Sequence, residues 1–305
     1  MSKFDVLILG SSSALPAFDR HPASQLINIH ENHLLIDCGE GTQSRLVQYG
    51  QKLHKLQHIF ISHLHGDHYF GLPGILTSLN LLGRQEPIDV YCPPGLDSLI
   101  LDIVKLGQGE MRYPIYWHIL SHSGMQCILN QSGFEVHAFT LKHRIPTYGF
   151  LIAEKSRLRN MKVEKLPDLD HHSDLIRTLK SGENALDASG KTYLVDDYTY
   201  PPPAPRKYAY VSDTLFLPEI IPYLRGVDLL YHESTYMEDH REKASENFHS
   251  TAHQAAEMAT AAHVKKLILG HFSSRYKTLD GLLAEACTIF PNTALALEGE
   301  HFNIS

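Results

Sequence analysis

The chain has 305 residues, a formal net charge of −7, and 21 histidines beside 27 lysines and arginines. With 43% hydrophobic and 20% charged residues it has ordinary globular composition, which excludes wholesale disorder. No apolar run reaches the about 18 residues of a membrane-spanning helix, and the opening MSKFDVLILGSSS lacks the basic region, long apolar core and cleavage site of a secretory signal.

Phe4–Leu9, Gln25–Ile29 and Leu34–Cys38 are aliphatic and β-branched runs separated by Gly and Asn, and they read as strands. Thr42–Tyr49 reads as a short helix closed by Gly50, and His58–Ser62 as a buried strand. Leu72, Ile75, Leu76, Leu79 and Leu82 keep helical spacing up to Gly83. After a strand at Ile88–Cys92, residues Leu96, Leu99, Ile100, Ile103 and Leu106 share one helical face up to Gly107. A β-rich start giving way to β/α alternation implies an α/β fold with sheets covered by helices.

The pattern breaks between about residues 153 and 196. Segment 153–165 carries five basic and two acidic residues, and polar stretches and the prolines Pro201–Pro203 and Pro205 follow. This region reads equally as a solvated loop or linker and as a protruding basic arm for an anionic partner. From Lys207–Val211 onward strand/helix alternation resumes, and Thr251-x-x-Gln254 forms a capping box before an Ala-rich helix. Cys38, Cys92, Cys127 and Cys287 form no close pair and no metal-ligand spacing, so reduced thiols in a cytoplasmic protein are expected. His118, His122, His137 and the pair His171–His172 have no motif around them and read as structural or solvated.

The chemistry concentrates in His63-Leu64-His65-Gly66-Asp67-His68, four potential metal ligands directly after a buried strand. His63 and His65, two apart on extended backbone, point to one side, and Gly66 permits a turn that swings Asp67 and His68 toward the same centre. Imidazoles with carboxylates suit zinc, with manganese or cobalt as possible substitutes. Further candidates also follow strand-like runs: His143, Asp213 and His271. They complete two sets, His63, His65 and His143 for one metal and Asp67, His68 and His271 for the other, with Asp213 bridging. Metals roughly 3.5–4 Å apart acidify a shared water and clamp the oxygens of a phosphoryl displacement.

His-x-His-x-Asp-His after a strand is the signature of the metallo-β-lactamase superfamily. The words DCGEGTQ (37–43), ISHLHGDHYFGLPG (61–74), LKHRIPTYGF (141–150), SDT (212–214), HEST (232–235), HST (249–251) and GHFSSRY (270–276) narrow it further. In this order they resemble the short form of the ribonuclease Z (tRNase Z) family, over almost the whole chain except 153–206. The resemblance implies a metallo-β-lactamase αββα sandwich over residues 1–305 with an arm inserted at about 153–196. It also implies two zinc ions per chain, a homodimer, and zinc-dependent endonucleolytic removal of the 3′ trailer of precursor tRNA. Asp67 then resembles the base that orients the attacking water, and His249 and Glu233 the pair that protonates the leaving oxygen. His249 is expected beside a helix N-terminus whose exposed N–H groups favour a phosphate. Arg20, Ser273 and Arg275 are candidate substrate contacts.

The family's Pro-x-Lys-x-Arg-Asn loop corresponds to Pro16–His21, where Arg20 is kept but Phe18 and His21 replace the lysine and the asparagine. A net charge of −7 argues against nonspecific polyanion binding, so RNA would be recognised by shape. The alternatives are a small-molecule phosphodiesterase, arylsulfatase or lactonase on the same fold, and a catalytically silent RNA-binding protein with a structural metal.

Overall fold

The β-branched and aliphatic runs of the chain build two seven-stranded sheets in a computed structural model that describes residues 3–107, 110–169 and 172–305. His171 lies outside the described residues. In chain order the strands begin with β1 (Phe4–Gly10), β2 (Ser24–Ile29), β3 (Asn32–Ile36), β4 (Leu56–Phe60), β5 (Ile88–Cys92) and β6 (Ile115–Ile119). Next come β7 (Met125–Asn130), β8 (Phe134–Leu141), β9 (Thr147–Glu154) and the two-residue strands β10 (Asn160–Met161), β11 (Ala185–Leu186), β12 (Thr192–Tyr193) and β13 (Thr199–Tyr200). The last are β14 (Lys207–Val211), β15 (Leu229–Glu233), β16 (Lys266–Gly270), β17 (Thr293–Leu295) and β18 (His301–Asn303).

One sheet runs β18-β1-β2-β3-β4-β5-β6 and the other β17-β16-β15-β14-β9-β8-β7. Side-chain alternation sorts each strand between two cores. In β14, Tyr208 and Tyr210 turn toward the opposite sheet, where Tyr210 Oη donates to Asp37 Oδ2 at 2.7 Å, and Phe60 and Phe150 meet at 5.5 Å between ring centroids. Ala209 and Val211 turn the other way, into a core shared with Ala252, Ala255, Ala256 and Ala259 of the helix Ala252–Ala261. Small alanines let that helix lie close on the sheet. The first sheet is covered in the same way, with Leu35, Ile59 and Val90 packed among Leu72, Ile75, Leu76 and Leu79 of the helix Leu72–Leu81. The result is a helix–sheet–sheet–helix sandwich. No helix among the described residues is long and apolar enough to cross a membrane.

Two strands end two residues before the sequence reading, at Ile36 and Phe60. Past Ile36, Asp37 takes a left-handed backbone (φ 54°) that no regular strand accepts.

Residues 131–134 and 153–206 form a compact unit of their own, apart from 3–130, 135–152 and 207–305. Rather than an unstructured loop, it holds the helix Ser173–Ser181 and a small core of Leu169, Leu175, Leu179, Ala185 and Tyr193. It reaches Arg206, beyond the expected 196, because Arg206 closes on Glu154 through a backbone bond of 2.9 Å and an ion pair of 2.7 Å. Segment 153–206 carries nine basic and nine acidic side chains, so the basic start is neutralised further along. Arg159 pairs with Asp196 at 2.5 Å, and Arg177 with Asp174 at 2.9 Å.

Candidate metal and catalytic centre

Strand ends position most donors in the centre, and the short helix Gly66–Tyr69 carries the other two, Asp67 and His68. His63 and His65 follow β4, His143 follows β8, Asp213 follows β14, Glu233 ends β15 and His271 follows β16. β14, β15 and β16 are parallel, so their carboxyl ends open on one side, the usual place for a ligand in such sheets. The loop between Phe60 and Leu72 is set by close backbone approach. A Cβ on Gly39 would stand 2.4 Å from the Asp67 carbonyl oxygen, and one on Gly71 2.2 Å from that of Gly39, so only glycine fits either place. Gly66 does not use the left-handed backbone expected of a sharp-turn residue; its missing side chain makes room for the Phe70 ring, 2.1 Å from where a Cβ would be.

The donors fall into two groups. His63, His65, His143 and Asp213 each place one ligand atom within 4.8 Å of the others, as do Asp67, His68 and His271. His65 Nδ1 stands 3.1 Å from His63 Nε2 and 3.3 Å from His143 Nε2. His68 and His271 bring their Nε2 atoms to 3.3 Å, each 3.5 Å from Asp67 Oδ2. Asp213 spans the groups: Oδ2 faces His63 at 3.6 Å, and Oδ1 faces His271 at 3.2 Å and His68 at 3.5 Å.

This donor set fits divalent cations. His68 Nδ1 is engaged by Asp37 at 2.8 Å, His271 Nδ1 by the Thr235 hydroxyl at 2.9 Å, and His143 Nδ1 by the Phe248 carbonyl at 2.8 Å. With the ring proton on Nδ1, each Nε2 presents a lone pair to the interior. Asp213 Oδ1 is buried with no hydrogen-bond partner although it faces two imidazole nitrogens. Lone pairs and a carboxylate oxygen converging on one point call for a cation. Burial, with the neighbouring His68, holds the His63 pKa well down, and burial also lowers those of His65 and His143, which favours the neutral, ligating form.

Sequence reasoning missed Asp37. Fully buried, it accepts from Ser62 N–H at 2.7 Å, Ser62 Oγ at 2.9 Å and Tyr210 Oη while engaging His68. Asp37 and His271 (φ 58°) both hold left-handed backbone at the centre, a strain that the surrounding contacts sustain. The only available signal was the word DCGEGTQ, in which the acid carries no pattern of its own.

Asp67 accepts from the Ala14 N–H at 2.8 Å. Burial opposes its charge, but His68 and His271 hold its carboxyl far below the usual range. His249 Nδ1 meets Glu233 Oε1 at 2.9 Å. Glu233, fully buried, also accepts from the Thr214 and Thr235 N–H groups and the Thr235 hydroxyl. Burial works against a charged His249 imidazole, but the Glu233 carboxylate outweighs it and raises the pKa to about 9.

The helix Ala252–Ala261 does not offer the free N–H groups expected for a phosphate. Thr251 and Gln254 form the predicted capping box at 3.1 and 3.0 Å. The Ala252 N–H bonds to the Tyr236 carbonyl and the His253 N–H to Glu285. Thr251→Ala is therefore expected to lower unfolding stability by about 1 kcal/mol, read from denaturant melts.

A cleft of about 610 Å³ opens over the centre, lined by Asp67, His143, Asp213, His249 and His271 among others. Ser273 is on its wall, as are two residues not singled out from the sequence, Arg144 and the exposed Phe70. Arg20 is placed otherwise: it is 9% exposed, donates to the Tyr276 carbonyl at 2.7 Å, and is absent from that wall. The Arg275 guanidinium lies 5.6 Å from the Tyr236 ring centroid. His21, in the place of the family's asparagine, binds Glu298 through Nδ1 at 2.9 Å.

Against known proteins, the chain is 39% identical over 304 residues to a ribonuclease Z of Parabacteroides distasonis, covering 100% of both chains. It is 43% identical over 303 residues to one of Cytophaga hutchinsonii, covering 99% of this chain and 96% of the other. The chain belongs to the ribonuclease Z family. Residues 4–160 also match, and so belong to, the family described as anti-Pycsar protein Apyc1. Among solved structures, human tRNase Z, short form, superposes with a TM-score of 0.73 at 27% identity over 99% of each chain. The metallo-β-lactamase fold protein YhfI of Bacillus subtilis superposes with 0.69 at 18% identity, over 99% of this chain and 100% of that one. The sandwich is thus a metallo-β-lactamase fold.

Proposed function

We propose that the centre is the cleavage site of an endoribonuclease that removes the 3′ trailer of precursor tRNA. Water adds to the phosphorus, the bond to the 3′ oxygen breaks, and tRNA leaves with a 3′-hydroxyl and the trailer with a 5′-phosphate. The observation that carries this reading is Asp213, whose two carboxylate oxygens face two separate donor groups, in a chain that matches ribonuclease Z relatives from end to end. His63, His65 and His143 would hold one zinc ion and Asp67, His68 and His271 a second, with Asp213 shared. Bound there, the ions would supply Lewis-acid charge to the phosphoryl oxygens and acidify the attacking water. Asp67, charged and fixed by the Ala14 N–H, accepts a hydrogen bond from that water and aims it. His249, protonated up to about pH 9, gives its proton to the departing 3′ oxygen, and Glu233 holds the ring for that transfer. Arg144, Phe70 and Ser273 line the approach for the flanking nucleotides.

The test is one precursor tRNA with a 3′ trailer, its cleavage mapped to the nucleotide for metal-replete and chelator-treated protein. The expected result is a single cut at the tRNA 3′ end, lost with the metal and restored by zinc. Turnover of small phosphodiesters with the tRNA left intact would overturn the substrate.

The unit around 153–206 is read as a tRNA exosite. Its neutral charge leaves local features to do the gripping, and Leu158, Ile176, Arg177 and Lys180 line one shallow pocket there. Because Glu154 and Arg206 already pair through their backbones, residues 155–205 can be replaced by a short glycine linker. That deletion is expected to cripple tRNA cleavage and spare a small phosphodiester; equal loss on both would remove the exosite role. A cytoplasmic setting accords with the match to ribonuclease Z relatives. A homodimer accords with Leu81, Leu82 and Leu106, apolar side chains left exposed at the ends of the helices Leu72–Leu81 and Leu96–Leu106.

A further inference from the structure

Three donors gather outside the cleft, on the hairpin of β7 and β8. Cys127 pairs directly across the strands with His137, and the register slips between Cys127 and Leu129, the mark of a bulge. Glu135 precedes His137 by two residues, so both leave the same face of β8 while Phe134, Val136 and Ala138 turn into the core. One ligand atom from each of Cys127, Glu135 and His137 lies within 4.8 Å of the other two. His137 Nε2 meets Glu135 Oε1 at 2.9 Å, which orients the ring. The separation of 127 from 135 and 137 means nothing along the sequence, and only the hairpin register brings the thiol to the imidazole.

We propose that Cys127, Glu135 and His137 form a peripheral site for a thiophilic divalent cation, zinc by preference. A thiolate, an imidazole and a carboxylate make a borderline-soft donor set that suits zinc and disfavours magnesium or calcium. Cys127 is exposed, and the other two are half-buried, so the remaining position is open to water or an outside ligand. On binding, the thiol gives up its proton to solvent and sulfur joins the metal; no redox change is involved. β7 is the terminal strand of its sheet. A metal tie to β8 at the bulge would staple that edge, where unpaired backbone groups otherwise invite another strand.

Cobalt gives the decisive readout, because the Asp213 centre offers only nitrogen and oxygen donors. Full-length protein loaded with cobalt should bind one equivalent beyond those held by the Asp213 centre, and a thiolate-to-cobalt charge-transfer band should grow with it. Cys127→Ser and His137→Ala should each lose that band and that equivalent while keeping trailer cleavage. Zinc should also slow iodoacetamide labelling of Cys127 at least about tenfold in wild type, and not in His137→Ala. A saturated cobalt protein without the band would overturn the site. So would a band that survives in Cys127→Ser, or labelling of Cys127 indifferent to zinc.

Discussion

Asp67→Ala is expected to reduce trailer cleavage by about 1,000-fold or more, the upper range for losing a group that handles a proton in the transition state. The carboxylate is triply committed, at 2.8 Å from the Ala14 N–H and 3.5 Å from both His68 and His271 nitrogens. Alanine removes all three contacts, and with them one oxygen ligand of the second donor group. Single-turnover cleavage of a precursor tRNA should be measured beside the metal content of the same samples. Loss of rate with loss of one metal would make ligation the main role, whereas loss with both metals retained would assign the effect to water orientation. Asp67→Asn, which keeps the shape without the charge, should fall between wild type and alanine. An alanine variant within about tenfold of wild type would remove Asp67 from the reaction.

His249→Ala is expected to slow cleavage by about 100- to 10,000-fold, the range for a positioned general acid. The sign of the pH dependence follows from its surroundings. Burial lowers the imidazole pKa and the Glu233 carboxylate raises it further, to about 9, so the acid form is present at neutral pH and lost as pH rises through that value. The wild-type rate should therefore carry an alkaline limb near pH 9. Glu233→Gln removes the charge that holds the proton, and its limb should move toward lower pH. The comparison that isolates the role uses a substrate with a p-nitrophenolate leaving group, which departs without a proton. On that substrate His249→Ala should retain most of its rate. Equal losses on the poor and the good leaving group would assign His249 to binding rather than proton transfer.

The fold class and the centre were legible to different degrees. Periodicity placed Leu72–Leu81 and Leu96–Leu106 as helices; the first buries its stripe of Leu72, Ile75, Leu76 and Leu79, whereas the second buries only Leu96 and Ile100 and leaves Leu99, Ile103 and Leu106 exposed. It placed β1, β2, β5 and β14 because buried strands read as aliphatic runs. The expected phosphate site at the start of the Ala252–Ala261 helix did not survive. Glu285 and Tyr236, which fill it, come from other elements. Arg20 was expected at the substrate and is instead turned into its own loop, over the Phe18 ring and onto Tyr276.

By itself the sequence placed His63, His65, Asp67 and His68 within six consecutive residues directly after a strand, close enough for their side chains to converge on one region. It determined the capping box as well, a contact closed within four residues. The tertiary structure alone decided what lies between distant segments. Asp37 reaches His68 across 31 positions, His68 faces His271 across 203, and Asp213, itself just past β14, faces donors that follow three other strands. It also decided that 153–206 folds around a core of its own. The physical reason is common to all of these: a ligand's second ring nitrogen, a carboxylate's second oxygen and a small core are satisfied by neighbours in space, and sheet register, not chain order, sets who those neighbours are.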